Sequence, residues 1–331
     1  MNRRTFGQAG LSGLAGLIVA GPHASLAQKP AAGRAYKYVH LDVFTDTRYQ
    51  GNQLLVFTEP AGLDTETMQA MTKESNYSEC TFILPPETPG TDFRVRIFTR
   101  TAETPFAGHP TIGSAFALAH SGAIKPGTPK SVFGLGVGPT PLDLEWRSGA
   151  LSFAWMTQLQ PTFGKAIADT AALADALGVD AKAVLAPGGQ EVNCGSNFFI
   201  VPLASRQAVD AAAIDRAKLD AVFAAAGIQR RGTYVFSTER GTDNVTAYTR
   251  LVGTGATEDP ATGSAAGPAG CFAVKHGFVP PDRAGSIVFL QGVKVGRPSR
   301  LYIRVASTGT EVTGVKVGGP AVIVGEGTMI V

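Results

Sequence analysis

Cysteine is scarce in this chain: three in 331 residues, at Cys80, Cys194 and Cys271, with no C-x-x-C among them. So small and dispersed a set points to neither a zinc site nor a disulfide framework. An oxidising compartment would allow one disulfide, and the sequence does not choose the pair. Charge is sparse as well: Lys and Arg number 29, Asp and Glu 26, for a net charge of +3. No basic stripe or aromatic–basic interleaving is present, so a nucleic-acid partner is not expected. No apolar run reaches the roughly 20 residues a membrane-spanning helix needs. What these absences leave is a small-molecule partner.

The first residues stand apart from the rest. Arg3-Arg4 precede Thr5-Phe6, an apolar run extends from Leu11 to Ala20, and Ser25-Leu26-Ala27 supplies small residues for cleavage. This is the layout of a secretory signal of twin-arginine type over residues 1–27. The run is too short for an anchor, so the mature chain is expected to begin near Gln28 and to be exported to the periplasm. About 300 residues remain, enough for two domains with a core each.

The organising feature is a repeat. Residues 98–115 read FTRTAETPFAGHPTIGSA and residues 248–265 read YTRLVGTGATEDPATGSA, matching at a constant offset of 150 without a gap. An internal duplication explains this better than compositional drift. Each copy follows a strand-like run (93–99 and 244–250) and precedes an apolar helix candidate rich in small residues (111–122 and 261–277). Helices without a polar face are buried, most simply by a sheet wrapped around them. Pro110 and Pro260 are expected at the first helical position. His109 and Asp259 then fall at or beside the N-cap, where free N–H groups favour an anion. Asp-Pro alone is commonly just a cap; a His and an Asp at two duplicated helix starts point to a shared site.

Between the repeats the pattern is mostly of strands, at 38–45, 54–59, 80–85, 131–137, 142–146 and 151–156, with an amphipathic helix at 65–75. The second half adds strands at 198–203, 233–238, 286–292, 300–307 and 311–319 and a helix across 213–227. QLQPTFGK breaks the strand pattern near 157–168, a weak boundary between the halves.

GNQLLVF (51–57), NYSECTF (76–82), PFAGHPTIGSA (105–115) and EDPATGSAAGP (258–268) together resemble, in order and spacing, the PhzF-like proteins of phenazine biosynthesis. The resemblance runs from about residue 38 to the C-terminus. It implies an α+β fold similar to diaminopimelate epimerase: two similar domains, each a curved, mostly antiparallel, barrel-like sheet around one central helix. The domains would span 36–156 and 165–318, with the last strand near 320–331 returning to the first. The active site would lie in the cleft between them. The prototype moves a proton in trans-2,3-dihydro-3-hydroxyanthranilate without metal or organic cofactor. By motif, Glu79 becomes the general base, while His109, Asp259 and Ser264 line the pocket and hold a small carboxylate-bearing substrate. Backbone N–H groups near Gly108 and Gly263 would help. Homodimers are usual in the family, though nothing in this chain demands one.

The chemistry is coherent from below: a carboxylate desolvated in a cleft gains basicity and can carry a proton between carbons of a conjugated system. Related epimerases and proline racemase-like enzymes place two cysteines at the helix starts, where this chain has His109 and Asp259. That argues against two-thiol racemisation of a hydroxyproline-like amino acid; Cys80 and Cys271 are expected to be buried, inert residues. The expected function is a cofactor-independent isomerase. The alternative is an exported small-molecule-binding protein that keeps the cleft without turnover. Export itself separates the chain from a pathway built on cytoplasmic intermediates.

Overall fold

The first half of the chain sets two helices among eight strands in the order β1 (Ala35–Val43), β2 (Asn52–Phe57), α1 (Thr65–Ser75), β3 (Glu79–Leu84), β4 (Phe93–Thr99), β5 (Glu103–Thr104), α2 (Gly108–His120), β6 (Lys130–Leu135), β7 (Gly138–Arg147) and β8 (Ala150–Thr157). The second half continues with β9 (Thr162–Ile167), α3 (Thr170–Leu177), β10 (Gly189–Asn193), β11 (Asn197–Pro202), α4 (Arg206–Ala211), α5 (Arg216–Ala225), β12 (Gly232–Ser237), β13 (Ala247–Val252), α6 (Gly263–Lys275), β14 (Ile287–Gln291), β15 (Ser299–Thr308), β16 (Glu311–Gly319) and β17 (Ala321–Ile330). This computed structural model describes residues 33–253, 258–308 and 311–331. The expected secretory signal at 1–27 lies outside the described residues.

The two halves repeat one pairing scheme. In the first, β1 and β2 are antiparallel, β2 and β3 parallel, β3 and β4 antiparallel, β4 and β6 parallel, and β6, β7 and β8 antiparallel. In the second, β10 to β16 follow the same succession through β11, β12, β13, β14 and β15. The outer strands repeat too: β9 adds to β10 as β17 adds to β1. The halves join where β8 pairs antiparallel with β16, Thr157 opposite Lys316 and Ala154 opposite Gly319. Arg34–Val331 forms one compact unit.

Each half wraps its sheet around one helix, as the sequence pattern requires. Every residue of α2 from Gly108 to Leu118 is buried, as is every residue of α6 from Ala265 to Val274. Both helices belong to one continuous core: Ile112 and Phe116 from α2 share it with Phe272 and Val274 from α6. Each such large side chain contributes about 1.5–3 kcal/mol by leaving water. A smaller cluster seats α1 on the outside of the first sheet, where Met68 and Met71 meet Phe57, Phe82 and Phe98.

Some boundaries differ from the pattern reading. The second-half helix is confined to Arg216–Ala225, because Asp215 caps it and stops it reaching back to 213. The stretch near 157–168 contains β9, whose mostly exposed residues carry no apolar alternation by which to recognise a strand. The three cysteines are free and buried, so no disulfide forms among them.

Candidate active site

The two central helices meet head to head. A side-chain carbon placed on Gly108 would lie 2.4 Å from the carbonyl carbon of Gly263 and 2.5 Å from the backbone nitrogen of Ser264. The starts of α2 and α6 are thus in backbone contact, and only glycine at 108 permits it. Both helices begin without a side-chain cap, whereas α1, α3, α4 and α5 are capped by Asp64, Asp169, Ser205 and Asp215. Their first-turn N–H groups are therefore not satisfied by a cap, the condition that suits a helix start to an anionic group.

This geometry corrects the expected helix starts. His109 is the second residue of α2 and Pro110 the third, with Ala107 at the N-cap. Asp259 and Pro260 precede α6 altogether, whose N-cap is Thr262. The helices start at Gly108 and Gly263, 155 positions apart, so the match at offset 150 is out of step with the fold by more than one helical turn. In space the counterpart of His109 is Ser264; Asp259 reaches the site from the loop ahead of α6.

All six residues singled out in the sequence, Glu79, Gly108, His109, Asp259, Gly263 and Ser264, line one cleft of about 640 Å³. Glu79 opens β3, and its Oε2 lies 3.4 Å from His109 Nδ1. Asp259 accepts hydrogen bonds from Thr262 Oγ1 and Asn52 Nδ2, both at 2.6 Å.

Asn52, which the sequence reading gave no role, is the hub. It is 2% exposed. Besides Asp259, its amide nitrogen reaches the carbonyl of Ala261 at 2.8 Å and His109 Nδ1 at 3.1 Å, and its oxygen accepts from Ser78 Oγ at 3.2 Å. One amide thus ties the Ser78–Glu79 strand end and α2 to the loop before α6. Gln291 braces that loop from the other side, donating to the carbonyl of Asp259 at 2.8 Å and accepting from the backbone N–H of Thr262 at 3.0 Å. Asn52 lies in a stretch already singled out as a motif; Gln291, at the end of an apolar strand, carried no signal.

Burial sets the protonation states. It pushes the His109 imidazole down to about 3, so the ring is neutral and its contact with Glu79 is not an ion pair. Burial, and then the charge on Asp259, pushes Glu79 up to about 8. Burial also raises Asp259 to about 6, against the opposing hydrogen bonds from Thr262 and Asn52. Between about pH 6 and pH 8 the pair therefore holds one proton, on Glu79, beside an ionised Asp259. Two carboxyls in one cleft are divided into an acid and an acceptor by their surroundings.

The thiols stand outside this chemistry. Cys80 is fully buried and burial pushes it up to about 11; hydrogen bonding with Cys194 and burial raise Cys271. Neither is a thiolate near neutral pH. Among the described residues, no three His, Cys, Asp or Glu side chains cluster in a way that would hold a metal ion.

Residues 41–327 match the PhzC-PhzF family, described as phenazine biosynthesis-like protein. The chain belongs to the PhzF family. A trans-2,3-dihydro-3-hydroxyanthranilate isomerase of Pseudomonas aeruginosa is 37% identical over 299 residues, covering 88% of this chain and 98% of that one. A PhzF-family structure from Bacillus anthracis superposes with a TM-score of 0.77 at 21% identity, covering 90% of this chain and all of the other. A hydroxyproline epimerase from Agrobacterium vitis, solved with trans-4-hydroxy-L-proline, shares the fold at a TM-score of 0.60 and 13% identity, over 89% and 91% of the two chains. This PhzF-family chain is thus an isomerase by family, with the α+β, diaminopimelate epimerase-like architecture. Among the described residues, no helix is long and apolar enough to cross a membrane.

Proposed function

We propose that this chain catalyses proton transfer on a small carboxylate-bearing substrate, with Glu79 as the proton carrier and without metal or organic cofactor. The observation that carries the reading is the position of Glu79: desolvated at the cleft wall, 17% exposed, and set against neutral His109 and ionisable Asp259. Ionised Glu79 takes a proton from a substrate carbon. The C–H electron pair passes into the conjugated system, and the acid then returns the proton to another carbon. His109 and Asp259 orient the substrate by hydrogen bonds, and the uncapped helix starts at Gly108, Gly263 and Ser264 hold its carboxylate, where developing charge gains most from fixed N–H donors.

The 37% identical relative acts on trans-2,3-dihydro-3-hydroxyanthranilate, which makes that compound the first to try; export through the segment at 1–27 would place this chain with a different substrate of similar chemistry. The test incubates the chain in deuterium oxide with that compound and a panel of cyclic and amino carboxylates, following C–H exchange and isomerisation by NMR. Exchange that disappears in Glu79→Gln supports the reading. Binding without exchange anywhere in the panel would instead favour a small-molecule-binding protein.

A further inference from the structure

The carboxylates around the cleft are nearly all engaged, and one cation is not. Glu258 is held by Arg250 through both oxygens, at 2.7 to 3.1 Å. Arg297 is engaged with Asp42 and with the carbonyls of Gln50 and Gly51. Glu103, beyond the same turn, binds Arg96 through both oxygens. Asp259 is shared by Asn52 and Thr262. Among the described residues, Arg100 and Arg297 are the only Lys or Arg that line the cleft, and Arg100 is half-buried without a hydrogen bond, ion pair or aromatic ring for its guanidinium.

The backbone beneath Arg100 is held in place. Thr99 stands opposite Glu79 in the β3–β4 register, so Arg100 is one residue beyond the proton carrier's cross-strand neighbour. The turn it occupies closes through Thr99 Oγ1, which accepts from the N–H groups of Thr101 and Ala102 at 3.2 and 3.0 Å. Gln69 of α1 fixes the Thr99 carbonyl at 2.7 Å. Arg250, its match in the sequence repeat but not in the fold, is by contrast 6% exposed and locked to Glu258 and three backbone carbonyls.

We infer that Arg100 pairs with a second anionic group of the substrate, so that the cleft takes a small dianion, such as a ring dicarboxylate, rather than a monocarboxylate. One carboxylate would sit at the helix starts and the other against the Arg100 guanidinium, whose planar fork matches a carboxylate. This rests on the reading of the cleft as the substrate site, but not on turnover.

The test is calorimetric titration of the full chain with benzoate, isophthalate and terephthalate, in wild type and in Arg100→Gln, each also in the Glu79→Gln background. A charge-assisted pair corresponds to about tenfold or more in affinity. The inference expects one of the dicarboxylates to bind at least about tenfold more tightly than benzoate, Arg100→Gln to erase that advantage while leaving benzoate unchanged, and Arg100→Lys to keep part of it. Equal binding of all three, no measurable binding of any, or an advantage that survives in Arg100→Gln overturns it. Because the readout is binding, a failed exchange assay leaves the result standing, and a failed titration leaves the proton-transfer proposal to its own test.

Discussion

Glu79 works against its own solvation, and two outcomes follow from that. Its folded carboxyl is raised from the ordinary range to about 8, so the folded state binds a proton that the unfolded chain has already released. The associated stability is fully present below the unfolded value and is lost as pH rises through about 8. Glu79→Gln is therefore expected to leave the melting temperature nearly unchanged at pH 4 and to raise it at pH 9, where the stability gained is on the order of one to a few kcal/mol. Thermal unfolding of both proteins across that range checks it. In the same variant turnover should fall about 10²–10⁴-fold, the usual contribution of a positioned acid–base group. For the active chain, kcat/KM should climb with pH up to about 8 and steepen its fall below about 6, where Asp259 takes up its own proton. Asn52 belongs to the same scale. Asn52→Leu removes a 2.6 Å donor from Asp259, so the lower limb of the pH–rate profile should move upward. Loss of a buried hydrogen-bond hub should also cost about 1–3 kcal/mol of stability in a denaturant titration.

At the scale of elements, the helix starts decide the site. α2 and α6 approach so closely at Gly108 and Gly263 that a methyl group at 108 meets backbone rather than a movable side chain. Gly108→Ala is expected to push the helices apart, destabilise the chain by about 3 kcal/mol or more, and abolish turnover; denaturant unfolding and the exchange assay read the two effects. Much of this level was legible beforehand. The small-residue composition of both helices announced their burial, and four motifs brought Glu79, His109, Asp259 and Ser264 to attention. What misled was the repeat itself: shared Pro, Gly, Ser and Ala fix the best sequence match, whereas the fold is registered by a glycine–glycine contact that no residue count records. His109 and Asp259 share a position in the match and not in space. Asn52 and Gln291 stayed silent because single amides among apolar strand residues acquire meaning only from partners 26 to 209 positions away. β9 was hidden for a simpler reason: as an outer, largely exposed strand it has no buried face to impose a pattern.

Across the whole molecule the duplication is closed by exchange at the ends. β17 pairs with β1 along nearly its full length, from Ala321 opposite Val43 to Ile330 opposite Ala35. That return was legible only through the family resemblance, since the residues of β17 are half-exposed along most of its length. Deleting residues 321–331 would leave β1 as an open edge beside a buried core containing Val39, Leu41 and Val43. The truncated chain is expected to lose cooperative thermal unfolding and to aggregate, which scanning calorimetry and light scattering would show.

The central claim, that one cleft keeps a proton on Glu79 beside an ionised Asp259 at neutral pH, is tested most directly without any substrate. Carboxyl carbons of the full chain, labelled with ¹³C, are followed by NMR from pH 4 to pH 10 in wild type and in Glu79→Gln. The account predicts two raised steps, near 6 and near 8, with the upper one absent from the variant. Both steps below pH 5, or an upper step that persists without Glu79, would contradict it.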